Sequence, residues 1–132
     1  MPSKTSTNYT SATWRSVYPL TLACESGFEG VVRLLLDNGA ELQDIDLAEA
    51  AKRGHLNVMK ALMEYGADPN KGDPLPIVSA VSRERVDMFQ MLLDHGASLD
   101  GENGRKAAQK AREEGLESML ELLKEHGVDV QE

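Results

Sequence analysis

Four glycines at nearly regular intervals constrain this chain more than any other feature of its sequence. They are Gly39, Gly66, Gly96 and Gly127. They stand 27, 30 and 31 residues apart, and each ends a segment of eight residues that superimposes on the other three without a gap. The segments cover residues 31–38, 58–65, 88–95 and 119–126. Self-similarity at a nearly fixed spacing is typical of repeat proteins, so the sequence predicts an array of four similar units.

Each of these segments has the pattern of an amphipathic helix. Apolar residues occupy mostly the first, second, fourth and fifth positions, a charged or amide residue the third, and an acid the seventh. That spacing predicts a helix with a wide buried face. The glycine then stands where a helix C-cap needs left-handed backbone, which glycine adopts without steric cost.

A second, shorter helix is predicted ahead of each segment. Twelve residues before the capping glycines stand Gly27, Gly54, Glu84 and Gly115. Each of these follows an alanine-bearing stretch, at residues 20–24, 47–51, 77–81 and 108–112. Small residues allow close packing between helices, and two short helices cannot bury their apolar faces alone. The pairs must therefore stack on one another, which predicts an all-α fold.

The composition narrows the classes of function. Charged residues make up 27% of the 132 residues and hydrophobic residues 41%, which is typical of a globular protein. The net charge of -8 disfavours non-specific binding to nucleic acid and to anionic membranes. Because the chain has one cysteine and no apolar run of signal-peptide length, we expect an intracellular protein, cytoplasmic or nuclear.

Several phrases resemble the ankyrin repeat family. Residues 18–23, Tyr-Pro-Leu-Thr-Leu-Ala, resemble its T-P-L-H-x-A opening. Residues 50–55 and 65–70 are similar to its A-A-x-x-G-H and x-G-A-D-V-N phrases. The resemblance implies an ankyrin-repeat solenoid of four helix-turn-helix units within residues 17–132. The units are expected at about 18–46, 47–73, 74–104 and 105–132.

The sequence also departs from the family pattern. The family period is about 33 residues, and every interval here is shorter. The missing residues fall in the connection that normally forms a projecting β-hairpin, so shortened hairpin connections are expected. In the first connection, Asp46 is predicted to cap the following helix directly. Residues 1–16 are rich in Ser and Thr and are predicted to be a flexible leader.

The resemblance implies a non-enzymatic protein–protein interaction module, an adaptor or an inhibitor, that binds through its concave helical face. In the family that face includes the exposed end of each first helix. The matching residues here are Glu25, Ser26, Lys52, Arg53, Ser82, Arg83, Glu113 and Glu114. We hypothesise that Lys52, Arg53 and Arg83 engage an acidic segment of a partner protein. The alternative is that these cations only balance neighbouring acids. The chain is expected to be a monomer.

Neither catalysis nor metal binding is predicted. His55 lies in a Gly-His turn, where its ring is expected to hydrogen-bond backbone, and His95 and His126 precede capping glycines near negative helix ends. Cys24 stands where the next two units have Ala and Val, so a small buried hydrophobe is expected. Equivalent positions in stacked units lie about 8–10 Å apart, whereas zinc needs ligands about 2 Å from one centre. No metal and no cofactor are expected.

The sequence is also compatible with two other functions. The chain could be an accessory or catalytic subunit of a biosynthetic enzyme system, with Cys24 or His95 carrying the chemistry. It could also be an architectural block whose stack continues in other chains. Lys124 stands where the other units have Leu or Met, and a polar outer face on a last repeat argues against continuation at that end.

Overall fold

The computed structural model of the protein describes residues 19–130. These residues form eight α-helices and no β-strand, which confirms the all-α prediction. The helices are α1 (Pro19–Ser26), α2 (Glu29–Asp37), α3 (Asp44–Arg53), α4 (Leu56–Glu64), α5 (Pro76–Ser82), α6 (Val86–Asp94), α7 (Glu102–Glu114) and α8 (Glu117–Glu125). The leader predicted at residues 1–16 lies outside the described residues, and its division from the repeats stays a prediction.

Consecutive helices pair into four hairpins, which are repeats 1 to 4. The first helices α1, α3, α5 and α7 form one row in which each helix contacts the next, and in the other row α2 contacts α4. Six alanines of the first helices are completely buried. They are Ala50, Ala51, Ala80, Ala107, Ala108 and Ala111. Their small side chains let the first helices approach closely, while large residues of the second helices, such as Met59 and Phe89, fill the space beside them.

The turn inside each hairpin requires left-handed backbone at one residue. Gly27, Gly54 and Gly115 have φ values of 79°, 77° and 68°, and Glu84 has a φ of 55° at the equivalent place. A residue with a Cβ atom pays about 1–2 kcal/mol for this conformation. The sequence alignment placed Glu84 in register with three glycines, and the backbone confirms that register.

The second helices end in the same capping motif. After α2, the Gly39 N–H donates to the Leu36 carbonyl at 3.2 Å and the Ala40 N–H donates to the Leu35 carbonyl at 3.0 Å. This pair of bonds is the Schellman motif, and it recurs after α4, α6 and α8. The predicted role of the four repeating glycines as helix caps is confirmed.

The connections between repeats contain no strand in the described part of the chain, in keeping with the predicted shortening. Asn70, in the connection that precedes α5, is tied to the following connection instead. Its side-chain oxygen accepts from the Ser98 N–H at 2.7 Å, and its amide donates to the Gly96 carbonyl at 3.1 Å. One side chain therefore joins two adjacent connections that have no strand pairing.

Two of the repeat boundaries expected from the sequence fall inside helices. Helix α3 begins at Asp44 rather than near 47, and α7 begins at Glu102 rather than near 105. Asp46 does not precede α3 but is the third residue of the helix, where its carboxylate accepts from the Gln43 N–H at 2.9 Å. An acid at this position reaches back to the residue before the helix. The spacing of the alanine-bearing stretches does not show that a helix begins several residues before them.

Candidate functional site

The predicted site residues lie at the C-terminal ends of the four first helices, where hydrogen bonds connect each repeat to the next. The Glu25 carbonyl accepts from His55 Nε2 at 2.9 Å. The Lys52 carbonyl accepts from Arg83 Nη1 at 3.1 Å. The side chain of Ser82 donates from Oγ to Glu114 Oε1 at 3.1 Å. Five of the eight predicted site residues take part in these three bonds between repeats, and we call this series of helix ends the inner row.

His55 and Arg83 each pack against the turn of the preceding repeat. A Cβ atom on Gly27 would lie 2.7 Å from His55 Nδ1, and one on Gly54 would lie 2.9 Å from Arg83 Nη2. Each side chain covers the turn of the preceding repeat and bonds a carbonyl two residues before that turn. The structural role predicted for His55 is confirmed. The same role for Arg83 was missed, because Arg83 precedes its own turn residue whereas His55 follows its turn residue.

A basic cluster, formed by Lys52, Arg53 and Arg83, lies at the centre of the inner row. Lys52 Nζ is 3.5 Å from Glu49 Oε2, and Arg53 Nη2 is 3.3 Å from Glu49 Oε1. The two cations thus share one carboxylate, and their side chains are 47% and 46% exposed, whereas that of Glu49 is 13% exposed. Because exposed ion pairs contribute only about 0–1 kcal/mol, a partner's carboxylates can compete for these cations.

The negative charge at the α7 end of the row is partly neutralised by a lysine of the same helix. Lys110 Nζ lies 3.2 Å from Glu114 Oε2. The neighbouring Glu113 accepts from Gln109 Nε2 at 2.8 Å. Both acids are exposed, as is Ser26 at the opposite end of the row. The structure therefore shows a basic centre with acids beyond it on both sides, in the order that the sequence predicted.

An open groove beside the row was not predicted. It has a volume of about 440 Å³ and is bounded by residues 72–75, by Val78 of α5 and by polar side chains of α7. Leu75 and Val78 are its apolar part, and Lys106 and Lys110 are its cationic part. The groove exists because the connection before α5 stands beside α7. Sequence reasoning missed it because the two sides are some thirty residues apart and no motif marks them.

Cys24 is confirmed as a small buried hydrophobe. Its side chain is completely buried, and burial raises the pKa of the thiol to about 12, helped by the nearby carboxylates of Asp46 and Glu25. The reactive form of cysteine is the thiolate, which this environment suppresses. The structure gives no support to the enzymatic alternative at Cys24.

The rings of the other two histidines contact carbonyl oxygens in the last turns of their own helices. His95 Nδ1 lies 2.9 Å from the Met91 carbonyl oxygen, and His126 Nδ1 lies 3.0 Å from the Leu122 carbonyl oxygen. The His126 ring also packs edge-on against Phe89, with 5.3 Å between ring centroids. Both contacts agree with the structural role predicted from the position of these histidines. The contact with the Met91 carbonyl therefore explains the position of His95 without a catalytic role.

Residues 19–130 contain no group of three or more His, Cys, Asp or Glu side chains placed to hold a metal ion. No helix in this range has the length and apolar character needed to cross a membrane.

Almost the whole chain matches models of one known protein family. Residues 47–132 match the model for ankyrin repeats in three copies, and residues 17–49 match the model for a single ankyrin repeat. The chain belongs to the ankyrin repeat family. Ankyrin repeats indicate a protein–protein interaction module.

Similar stretches occur in much longer ankyrin repeat proteins. The ankyrin repeat and KH domain-containing protein mask-1 of Caenorhabditis elegans is 30% identical over 122 residues, which are 85% of this chain and 5% of that protein. The potassium channel AKT2/3 of Arabidopsis thaliana is 30% identical over 122 residues, 85% of this chain and 15% of the channel. A putative ankyrin repeat-containing protein of Treponema pallidum is 32% identical over 89 residues, 60% of this chain and 30% of that protein. The chain spans less than a third of each of these relatives.

Proposed function

We propose that this ankyrin repeat array is a non-enzymatic binding module, an adaptor or an inhibitor, that holds an acidic segment of a partner protein against the inner row. The observation that carries the proposal is the basic cluster. Lys52 and Arg53 share the carboxylate of Glu49, and Arg83 adds a third exposed cation bonded to the Lys52 carbonyl, in a chain whose net charge is -8. This local excess of positive charge stands out against the acidic remainder.

The geometry leaves the cluster able to bind. A guanidinium has five N–H donors in a planar fork, and the bond from Arg53 to Glu49 engages Nη2. A second carboxylate can approach the same guanidinium from solvent because nearly half of the Arg53 side chain is exposed. The bond from Arg83 Nη1 to the Lys52 carbonyl fixes the position of Arg83 before a partner arrives. Pre-positioned side chains lose less entropy on binding.

The acidic ends of the row are proposed to select the partner. Glu25 and Ser26 at one end and Glu113 and Glu114 at the other would repel acids that extend beyond the basic centre. A short acidic stretch would then be preferred over a uniformly acidic chain. We further propose that the array works as a monomer inside the cell, where its single, buried Cys24 stays reduced.

The test is a binding assay with a fluorescent peptide that has a short run of Glu and Asp between neutral residues. The double variant Lys52→Glu/Arg53→Glu is expected to weaken binding of this peptide at least about tenfold, because two charge-assisted contacts become repulsions. Added salt should weaken wild-type binding, since the contacts are exposed.

The matched control is Lys60→Glu/Lys71→Glu. It changes the net charge by the same amount at two exposed lysines, one on α4 and one in the connection before α5. Its affinity for the peptide should stay near that of the wild type. Equal losses in the two double variants would show an effect of net charge alone, and an acidic peptide that fails to bind the wild type would refute the proposal.

The partner itself can then be sought by affinity capture and mass spectrometry. A true partner should be retained by the wild type and by Lys60→Glu/Lys71→Glu, and lost with Lys52→Glu/Arg53→Glu. Circular dichroism must show the same helical content and the same cooperative unfolding for all three proteins. A partner that binds all three equally well would place its binding surface elsewhere.

A further inference from the structure

Two exposed apolar side chains lie on the first helices, near the basic cluster. Leu22 of α1 and Ile45 of α3 are 49% and 47% exposed, and we call them the apolar pair. The position of Leu22 is polar in the other three repeats, where it is occupied by Glu49, Ser79 and Lys110. The stacking of repeats therefore does not require a leucine at this position.

Helices α1 and α3 run in the same direction. The bond from Thr21 to Asp46 joins them near their starts, and the bond from His55 to the Glu25 carbonyl joins them near their ends. Successive residues of an α-helix point about 100° apart. Because Thr21 and Asp46 face each other, the residue after Thr21 and the residue before Asp46 turn to the same side of the junction. These two residues are the apolar pair, which is thus one surface built from two repeats.

The basic cluster adjoins the same surface. Glu49 lies one helical turn after Ile45, on the same side of α3, and its carboxylate is the one that Lys52 and Arg53 share. Ile45 and Arg53 are eight residues apart, which corresponds to about 12 Å along the helix. An extended peptide covers this distance in about four residues. An apolar residue and an acid at that spacing can therefore contact the apolar pair and the basic cluster together.

We propose that the partner segment is amphipathic, with one large apolar residue on the apolar pair, about four residues from the acids that bind the basic cluster. The inference rests on the proposed function and adds the chemistry of the partner. The cluster provides charge complementarity, and burial of the apolar residue adds affinity. A second copy is the less favourable occupant, because each chain carries a net charge of -8 and like-charged chains repel each other.

The test extends the peptide assay to two further fluorescent peptides. Each is the acidic peptide with one neutral residue replaced by Leu, either four residues before the acidic run or four residues after it. The full wild-type chain should bind one of the two about three- to tenfold more tightly than the leucine-free peptide, because the leucine becomes partly buried.

The double variant Leu22→Gln/Ile45→Gln should lose this gain and should bind the leucine-free peptide with wild-type affinity. Val86→Gln is the matched control at another exposed apolar residue, on α6, and should keep the gain. Because both members of the apolar pair are about half exposed, the double variant should unfold with wild-type cooperativity in circular dichroism. The single variant Leu22→Gln is a milder test of the same contact and should lose part of the gain.

The outcomes separate this inference from the proposed function. If the leucine-free peptide binds through Lys52 and Arg53 but neither leucine strengthens binding, the amphipathic segment is refuted and the proposed function stands. A gain that Leu22→Gln/Ile45→Gln retains also refutes it, since the leucine then binds elsewhere. If no peptide binds, both proposals fail. A dimer in analytical ultracentrifugation that the double variant abolishes would assign the apolar pair to a second copy and overturn the inference.

Discussion

The junction between repeats 1 and 2 differs from the junction between repeats 3 and 4. At the first junction, the Thr21 hydroxyl donates to Asp46 at 2.5 Å, and both residues are buried. At the third junction, the polar links are exposed: Ser82 donates to Glu114 at 3.1 Å, and Ser118 donates to Glu84 at 3.4 Å. Buried hydrogen bonds cost much to break because the orphaned groups cannot reach water. The first junction is therefore specified by polar contacts, and the third mainly by apolar packing.

The turns of repeats 1 and 4 also differ in how closely other side chains pack against them. Gly27 lies against the ring of His55, which is anchored on the Glu25 carbonyl. Gly115, at the equivalent turn of repeat 4, has open space where a Cβ would lie. One repeat pattern thus produces a crowded turn at Gly27, against which the following repeat packs, and an open turn at Gly115, which no described repeat follows. Equivalent positions should therefore respond unequally to equivalent mutations.

The largest effect is expected at Asp46. Replacing it with Ala removes the acceptor of the buried Thr21 hydroxyl and of the Gln43 N–H at the start of α3. The free energy of unfolding should fall by about 2–4 kcal/mol, from a buried unsatisfied donor and a lost helix-start contact. Denaturation with urea, followed by circular dichroism, measures this loss. A loss below that of an exposed substitution would mean that the buried bond does not specify the first junction.

The pH dependence of the same carboxylate sharpens the test. Burial raises the pKa of Asp46, against the lowering effect of the hydrogen bonds from Thr21 and from the Gln43 N–H. The folded protein therefore holds the proton more tightly than the unfolded chain. The stability that protonation contributes is complete below the unfolded pKa and is lost as the pH rises through the raised folded pKa. The free energy of unfolding of the wild type, measured relative to that of Asp46→Asn, should therefore fall over that range as the pH increases, and a constant difference would contradict the shift.

The next largest effect is expected at the Gly27 turn. Gly27→Ala should lower the free energy of unfolding by about 2–3 kcal/mol, since left-handed backbone is costly with a Cβ and the new methyl group meets the His55 ring. Gly115→Ala keeps the backbone cost but meets open space, so about 1 kcal/mol is expected. Thermal and chemical unfolding of the two variants would compare them directly. Equal losses would show that anchoring of His55 adds nothing to the first junction.

The smallest effect is expected at Ser82. Ser82→Ala deletes the exposed bond to Glu114 at the third junction, and the stability should change by less than about 0.5 kcal/mol because water replaces the lost partner. The same unfolding assay applies. A loss as large as that of Asp46→Ala would remove the distinction between the two junctions.

Much of the fold could be predicted because its determinants are local. The capping glycines and Glu84 follow from steric limits that act within a few residues, and the helical period of the apolar residues is equally local. The start of α3 at Asp44 was not predicted, because the acids of its first turn match no repeated phrase. The positions of the candidate site residues were predicted through the family resemblance, and their role in binding stays a prediction.

The contacts of the candidate site could not be predicted in the same way. Arg83 replaces His55 over the turn from a different sequence position, which only the packing of two repeats reveals. The bond between Thr21 and Asp46 joins residues 25 apart, and the groove beside α7 is built from two repeats. Each depends on how neighbouring hairpins are placed in space.

The sequence by itself determined the number of repeats, the helices and the left-handed turns, since these arise from backbone sterics and side-chain periodicity along the chain. Only the tertiary structure decided which copy of a repeated residue is buried, bonded or exposed. Val31 and Val58 are the same residue at the same repeat position, yet one is 44% exposed and the other 1%. Burial is a property of what stacks against a residue, and no single repeat contains that information.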